Sequence, residues 1–250
     1  KHRQEYNQQH TKKIRLYDDF DGLMLMFKFK KNAPDALRNY VSIAKKRNIE
    51  LEKANSYTFF QSLNEPQWEH LQNDPFAARY SNKTLRKFKV RINNKSHHPY
   101  IIPIFQNNEF EGLVCRRASE EVRGKYIFSP GCEKKLIVGT AQNLIHDDVL
   151  VVEGYSDLMK AYEYGWTNVL CLFGWYCSDE QAQHILKKAT GVVNGLNNDV
   201  SGRKGLQRLK QLFLSTLPLY QLPITEERND IGETTKDEFM RAMWNIQEIK

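Results

Sequence analysis

The second half of the chain alternates short apolar runs with amphipathic segments. The apolar runs are "VLVVEG", "NVLCLFG", "GVVNGL" and "LYQLP", and the segments between them are "SDLMKAYEYG", "SDEQAQHILKKAT" and "SGRKGLQRLKQLFL". Runs that are apolar at nearly every position are typical of strands buried on both faces, and the intervening segments have helical length and periodicity. From about residue 148 the pattern therefore predicts an α/β fold with a largely parallel sheet covered by helices.

The first half of the chain follows a different pattern. Residues 34–51, "PDALRNYVSIAKKRNIEL", place apolar residues at helical spacing, and Pro34 and Asp35 suit the first turn of a helix. Residues 98–117 contain two apolar runs around an Asn-rich turn from Gln106 to Glu109, which predicts a β-hairpin. The chain as a whole is therefore expected to be α+β, with an α/β second half.

Polar residues follow three of the predicted strands. Glu153 ends the first of these strands, Asn197-Asn198-Asp199 follows the third, and Asp230 comes after the last. Ligands of open α/β sheets bind at the carboxyl ends of the strands, so we expect Glu153 and Asp199 to lie together and Asp230 to complete the cluster. Carboxylates in this position suit metal binding or proton transfer.

Two neighbouring residues leave alternatives open. Asp157 is either a further acid of this cluster or a cap of the helix that follows Glu153. Arg203, in "SGRKG", either meets a phosphate group or is an exposed cation at an ordinary helix start.

Composition limits the class of protein. The chain has 250 residues, of which 40% are hydrophobic and 27% charged, as in a soluble globular protein with one large or two small domains. No apolar run approaches the roughly 18 residues of a membrane span, and no signal peptide opens the sequence. The first residue is Lys1, so we expect a fragment or a processed form.

The four cysteines, at positions 115, 132, 171 and 177, include no C-x-x-C pair. This spacing argues against a zinc site in the chain and favours reduced thiols inside a cell.

The formal net charge of +7 is unevenly distributed. Residues 1–100 contain 20 Lys/Arg and 10 Asp/Glu, whereas residues 101–250 contain 17 and 20. The stretch from Arg79 to Lys95 has seven basic residues, no acid, and the aromatic residues Tyr80 and Phe88. It is either a solvated helix face or a surface for nucleic-acid phosphates, and we favour the second interpretation.

The motifs together resemble a known family. E-G-x-x-D at 153–157, G-x-x-x-S-x-x-Q at 174–181 and D-x-x-G-R at 199–203 look like the Toprim domain of DnaG-type primases and their phage relatives. Upstream, residues 103–116 resemble the family's F-P-I, turn, G-x-x-x-R segment, and residues 125–144 resemble its K-Y-x-x-S-P segment. Residues 79–90 are similar to the start of its polymerase domain, and residues 36–51 to the helix that closes its zinc-binding domain.

The resemblance implies a domain organisation and a set of site residues. Residues 1–60 would be a helical remnant of a zinc-binding domain plus a linker, 61–145 a basic α+β subdomain, and 146–250 the Toprim domain with a parallel sheet flanked by helices. It implies that the catalytic residues are Glu153, Asp157 and Asp199. It also implies that Mg²⁺ or Mn²⁺ is bound by Glu153, Asn197, Asp199 and Asp230. The residues expected to contact nucleic acid or nucleotides are Arg79, Lys87, Lys89, Arg116, Lys125, Lys134, Lys135 and Arg203.

The implied function is a DNA primase, an RNA polymerase that makes short RNA primers on a single-stranded DNA template. It would use NTPs and work beside a replicative helicase in the cytoplasm of a bacterial or phage-infected cell. Two features depart from the family pattern: Asn197 stands where an Asp is expected, and residues 1–34 lack the cysteines of a zinc ribbon. Both favour a phage or mobile-element origin. The alternatives are a Toprim nuclease and a catalytically inactive nucleic-acid-binding module of a replication complex.

Overall fold

The computed structural model of the chain describes residues 35–71, 73–141, 144–224 and 228–249. The chain divides into two units, Lys1–Leu51 and Glu52–Lys250. The described part of the first unit, residues 35–51, is helical, and helix α1 extends from Asp35 to Gln61. The helix predicted from residues 34–51 is therefore confirmed, although it continues to Gln61 and its expected first residue, Pro34, lies outside the described residues.

Antiparallel strands form the smaller of two sheets. The strand order is β1-β2-β3-β4, with β1 at Arg91–Ile92, β2 at Tyr100–Gln106, β3 at Glu109–Arg116 and β4 at Tyr126–Phe128. The predicted hairpin is confirmed as β2 and β3. Its turn residues Asn107 and Asn108 both have positive φ, 52° and 67°, which is the backbone that a tight two-residue hairpin turn requires and that Asn tolerates well.

The larger sheet has the order β10-β9-β8-β6-β7-β5. Its four central strands are parallel, as predicted: β6 at Val149–Val152, β7 at Val169–Cys171, β8 at Val192–Asn194 and β9 at Leu219–Gln221. The antiparallel edge strands β5 (Gly139–Thr140) and β10 (Gln247–Glu248) were not predicted, because two-residue strands carry no detectable periodicity.

Five further helices complete the described structure: α2 at Asn82–Lys87, α3 at Tyr155–Glu163, α4 at Asp179–Leu186, α5 at Val200–Phe213 and α6 at Lys236–Trp244. Ser178 caps α4, since its hydroxyl accepts a hydrogen bond from the backbone N–H of Gln181 at 3.1 Å. Gly165, with φ of 103°, follows α3. None of the helices in the described ranges is long and apolar enough to cross a membrane.

Strand β6 separates two hydrophobic cores. Leu150 and Val152 point to a core that also contains α3 and residues of the smaller sheet, such as Ile104. Val149 and Val151 point to the other face, where α4 and α5 pack. All four side chains are fully buried, which explains why the sequence of this strand is apolar at every position until Glu153.

Gln181 on α4 holds the loop before β5 against the larger sheet. Its Nε2 lies 3.0 Å from the carbonyl oxygen of Lys134, 2.9 Å from that of Ile137 and 3.0 Å from that of Leu172. Its Oε1 accepts a hydrogen bond from the N–H of Ser178 at 3.0 Å. Because the side chain is buried, the carbonyl groups it binds depend on it for their hydrogen bonds.

Gln181→Leu should therefore lower the free energy of unfolding by about 2–4 kcal/mol, since it leaves several buried backbone groups without a partner. Gln183→Leu is the matched control, because Gln183 is exposed on the same helix. Chemical denaturation of both variants measures the difference. Equal stabilities of the two variants would show that the Gln181 amide does not hold this loop.

Candidate active site

The parallel strands β6, β7 and β8 end at one cleft of about 300 Å³. Residues from these strand ends, Glu153, Gly154, Phe173, Gly174 and Asn197, line one wall, and Lys125, Tyr126, Phe128 and Lys134 are among the residues that complete it. Asp157 also lines the cleft, which therefore combines the carboxyl groups of Glu153 and Asp157, the amide of Asn197 and two exposed lysines at the position where α/β folds bind ligands.

Glu153 and Asn197 meet at the centre of the cleft wall. The backbone N–H of Asn197 donates to Glu153 Oε1 at 3.2 Å. Desolvation raises the pKa of Glu153 to about 7, and the negative charges of Asp199 and Asp230 act in the same direction. The Asn197 N–H and the positive charge of Lys125 oppose this rise. A carboxylate with these neighbours gains stability from any cation that enters the cleft.

The amide oxygen of Asn197 lacks a partner. Asn197 Oδ1 is buried and accepts no hydrogen bond within the described part of the chain. A buried amide oxygen without a hydrogen bond costs about 1–3 kcal/mol, so an atom of this kind requires an explanation. It lies on the residue whose backbone contacts Glu153, and carboxylate and amide oxygens are both ligands for hard divalent cations.

A strained turn supports the backbone of Glu153. The carbonyl oxygen of Glu153 accepts hydrogen bonds from Gly174 N–H at 3.0 Å and from Cys171 Sγ at 3.1 Å. Between these donors, Phe173 has a positive φ of 60°, which is costly for a residue with a large side chain. Cys171 is thus a buried residue of the core that also contacts the site backbone, and the strain occurs where the chain turns along the cleft.

Asp157 is a helix cap. Its Oδ2 accepts a hydrogen bond from Gly154 N–H and its Oδ1 from Gly232 N–H, both at 3.2 Å. The alternative interpretation of Asp157 as a cap of α3 is confirmed, and the same side chain also ties α3 to the 3₁₀ turn Ile231–Glu233. Burial and then the charge of Asp230 raise the pKa of this carboxyl. A catalytic role for Asp157 stays a prediction.

Asp199 caps the helix that follows the Asn-rich loop. Its Oδ1 accepts a hydrogen bond from Gly202 N–H at 2.7 Å at the start of α5. Gly202 is required here because a Cβ at this position would overlap the carbonyl oxygen of Asn197. The first turn of α5 therefore packs directly against the backbone of the cleft residue.

Asp230 lies on a second loop that is tied to the first. It is buried, and the N–H of Asn198 donates to the carbonyl oxygen of Asn229 at 2.7 Å. A Cβ at Gly232 would lie 3.0 Å from Asp230 Oδ1, 3.1 Å from Asp157 Oδ1 and 3.2 Å from Arg79 Nη2, so these three polar groups surround Gly232. The negative charge of Asp230 thus helps to raise the pKa of Glu153, although Asp230 does not line the cleft.

The arrangement fits a cation with few protein ligands. Within the described residues, no three His, Cys, Asp or Glu side chains form a cluster that could hold an ion. Glu153 and the partnerless Oδ1 of Asn197 supply two oxygen atoms in one cleft. Mg²⁺ usually binds proteins through one or two carboxylates, keeps several waters and takes further ligands from substrate phosphates. The donor set therefore fits Mg²⁺ or Mn²⁺.

Comparisons with known proteins agree on one family. Residues 150–233 match the family model described as Toprim-like. The DNA primase of Clostridium acetobutylicum is 26% identical over 166 residues, which cover 60% of this chain and 27% of that protein. Residues 150–233 are therefore similar to a Toprim domain, and the curated relative is a DNA primase. The recognition made from the motifs is confirmed, and the chain spans only about a quarter of the length of that curated relative.

Solved structures show the same fold. The Aquifex aeolicus primase (zinc-binding and RNA polymerase domains) superimposes with a TM-score of 0.65 at 20% identity, covering 92% of this chain and 67% of that chain. A DnaG primase catalytic domain bound to single-stranded DNA gives 0.64 at 14% identity, covering 82% and 81%. These structures confirm the expected α/β Toprim architecture and the α+β segment before it.

Two of the predicted basic residues line the cleft. Lys125 and Lys134 are exposed there, and the neighbouring Lys135 is exposed next to them. Arg116 is placed differently: its Nη1 donates to Tyr126 Oη and to Ser156 Oγ, both at 3.0 Å, and its guanidinium stands 5.8 Å from the Phe76 ring. Arg116 therefore fixes the wall that carries Tyr126.

The other predicted basic residues lie away from the cleft lining. Lys87, Lys89 and Arg203 are exposed, and the Lys89 ammonium stands 4.6 Å from the centre of the Phe105 ring. Arg79 is half-buried beside Gly232, and its carbonyl oxygen accepts a hydrogen bond from Lys160 Nζ at 2.5 Å. Contact of these four residues with nucleic acid stays a prediction.

Sequence reasoning missed several residues of the site. Tyr126 hydrogen-bonds Ser156 Oγ at 2.6 Å, and Phe173 packs edge-on against Phe128 at 5.4 Å. Tyr126 and Phe128 stand in the segment that resembles the family's K-Y-x-x-S-P motif, which was the available signal. Nothing in the sequence indicated their partners, which lie many residues away.

The raised pKa of Glu153 predicts a pH-dependent effect on stability. Between about pH 4.5 and 7 the folded protein binds a proton that the unfolded chain has lost, so this group's contribution to stability falls as pH rises. Glu153→Gln removes the titration. The melting temperature of the variant minus that of the parent, measured in EDTA, should therefore increase from pH 5 to pH 8.

Glu248→Gln, at an exposed glutamate of the edge strand β10, is the control and should show little change with pH. A difference for Glu153→Gln that stays constant across this range would contradict a raised pKa for Glu153.

Proposed function

We propose that this chain is the catalytic core of a DNA primase, which makes short RNA primers on single-stranded DNA by metal-dependent nucleotidyl transfer. The observation that carries the proposal is the buried, partnerless Oδ1 of Asn197, located beside Glu153 in a cleft with two lysines. This pair lies at the strand ends of the segment that matches the Toprim-like family model. The curated relative is itself a DNA primase.

Glu153 and Asn197 would hold the divalent cation, with Asp199 and Asp230 adding negative charge nearby. When bound, Mg²⁺ or Mn²⁺ would neutralise charge on the reacting phosphates. In the transfer step the 3′-hydroxyl oxygen of the growing primer bonds to the α-phosphorus of an NTP, its proton is released, and the bond to the pyrophosphate breaks. Lys125 and Lys134 are placed to bind the phosphates and to offset the charge of that leaving group.

Other residues organise the site. Asp157 holds the start of α3 and the turn that follows Asp230 through its two backbone hydrogen bonds. The exposed cations Lys87, Lys89, Lys135 and Arg203, together with Arg79, would contact the template strand at longer range. Arg116 would act by positioning Tyr126.

The same proposal includes the organisation of the chain and its surroundings. Residues 1–60 would be the end of a zinc-binding region plus a linker, 61–145 the basic subdomain and 146–250 the Toprim domain. The template would be single-stranded DNA, the substrates NTPs and the partner a replicative helicase, in the cytoplasm of a bacterial or phage-infected cell.

A second candidate function follows from Asn197 itself. An amide provides an oxygen ligand without the negative charge that draws Mg²⁺ out of its hydration shell. This substitution favours, as the alternative, a binding module of a replication complex that has lost catalysis.

The parent protein, incubated with single-stranded template, labelled NTPs and Mg²⁺ or Mn²⁺, should produce short RNA. Glu153→Gln should reduce synthesis at least 100-fold while keeping its fold and its affinity for the template, because it removes the single carboxylate of the proposed ligand pair. Gel analysis of the products and circular dichroism measure both effects. Cleaved template would indicate a nuclease, and template binding without product would indicate the inactive module.

Asn197→Asp tests the departure from the family pattern. Adding a hard anionic ligand beside Glu153 should lower the Mg²⁺ concentration needed for half-maximal synthesis about 10-fold, with a smaller effect in Mn²⁺, which binds such sites more readily. Without metal, the two carboxylates repel each other, so the melting temperature in EDTA should fall. An unchanged metal dependence would place residue 197 outside the ligand set of the ion.

A further inference from the structure

Two exposed aromatic side chains follow the strained turn at the cleft. Trp175 is 38% exposed and Tyr176 45% exposed, directly after Phe173 and Gly174, which line the cleft. Large aromatic side chains are normally withdrawn from water, so an exposed pair at the edge of a site suggests a ligand with its own flat apolar surface.

The pair is held rigidly. A Cβ at Gly205 would lie 2.6 Å from the carbonyl oxygen of Trp175, so helix α5 touches the backbone of this residue. The Trp175 and Tyr176 rings pack at nearly right angles, 84°, with centroids 5.6 Å apart. Two rings fixed in this way lose little conformational entropy when a ligand binds.

Arg208 fixes Tyr176 from the other side. Its guanidinium stands 5.2 Å from the centre of the Tyr176 ring, its Nε donates to the carbonyl oxygen of Cys177 at 3.1 Å, and it forms an ion pair with Asp179. Tyr176 is thus engaged by Arg208 as well as by Trp175. The indole of Trp175 is exposed, and no cation among the described residues stands over it.

The surroundings favour a polyanion as the ligand. The first turns of α5 expose Arg203 and Lys204, and residues 200–210 contain no acid. On the other side of Gly174 the cleft contains Lys125 and Lys134. Trp175 thus follows a residue of the lysine-containing cleft, and its backbone contacts the helix that carries Arg203 and Lys204. Proteins usually bind a single strand by stacking its bases on aromatic side chains and by placing cations near its phosphates.

We propose that Trp175, supported by Tyr176, is a stacking platform for a base of the single-stranded DNA where the strand leaves the cleft. The inference rests on the proposed primase function and deepens it. Trp175 is not one of the residues that line the cleft, but it follows the lining residue Gly174 directly in the chain, so a strand that continues beyond the cleft would reach it. Trp175 would contribute affinity that is largely independent of base sequence, because every base has a flat face.

Fluorescence anisotropy of a labelled 20-nucleotide thymidine strand tests this inference. Trp175→Ala should weaken binding about 10-fold, whereas Trp175→Phe should keep most of the affinity. The log–log slope of affinity against salt concentration should stay unchanged, because no phosphate contact is lost. Trp244→Ala is the matched control: Trp244 is 82% exposed at the end of α6, next to the opposite edge strand of the sheet, and its loss should have no effect.

A strand of the same length built from abasic residues separates stacking from a structural role. The effect of Trp175→Ala should disappear on this strand, which has phosphates but no bases. An equal loss on both strands, or no loss on either, would overturn the inference. A raised KM for NTPs with unchanged DNA affinity would also overturn it, by assigning the platform to the nucleotide.

The same experiments distinguish failure of the proposed primase function from failure of the stacking inference. If the parent protein binds the strand but makes no primer, the function is wrong, while the comparison of the two strands still decides the role of Trp175. If the parent protein binds no single-stranded DNA, both are overturned.

Discussion

The parallel pairing of β6 with β7 and β8 is the constraint on which the rest of the site depends. Val151 pairs with Leu170 on one side and with Asn194 on the other, so the three strands end at the same level. This register brings Asn197 N–H to Glu153 Oε1 and Gly174 N–H to the Glu153 carbonyl oxygen. A shift of either neighbour would separate these groups, and the fully buried strands prevent such a shift because it would expose their apolar side chains.

The carboxylates near this edge are divided between two tasks. Asp157 and Asp199 accept backbone hydrogen bonds that fix α3, α5 and the turn at Gly232. Glu153 instead faces the cleft, where burial and the neighbouring acids raise its pKa to about 7. The capping acids hold the loops in place, and within the cleft the Glu153 carboxylate and the Asn197 amide oxygen remain for a ligand. An amide in place of an acid at Asn197 also limits the repulsion that a further negative charge would add beside Glu153.

The sequence predicted many helices and strands of the fold because their signals are local. Continuous apolar runs indicated β6, β7 and β8, and the Asn-rich turn at Asn107 and Asn108 indicated the hairpin. Contacts between distant residues could not be predicted from these signals. The Gln181 amide that binds three separate carbonyl groups and the Asn198–Asn229 hydrogen bond depend on how loops meet after folding, as does the burial of Asn197 Oδ1. The hydrogen bonds of Arg116 to Tyr126 and Ser156 were likewise not predicted, and its contact with nucleic acid stays a prediction.

Titration with Mn²⁺, followed by the electron paramagnetic resonance signal of the free ion, tests most directly whether Glu153 and Asn197 form a cation site. The parent protein should bind Mn²⁺ at one saturable site and the Glu153→Gln, Asn197→Ala double variant should lose that site, while both proteins melt as cooperative folded domains. Identical binding curves for the parent and the double variant would contradict the account, because the ion would then lie elsewhere and the partnerless amide oxygen of Asn197 would have no role in holding it.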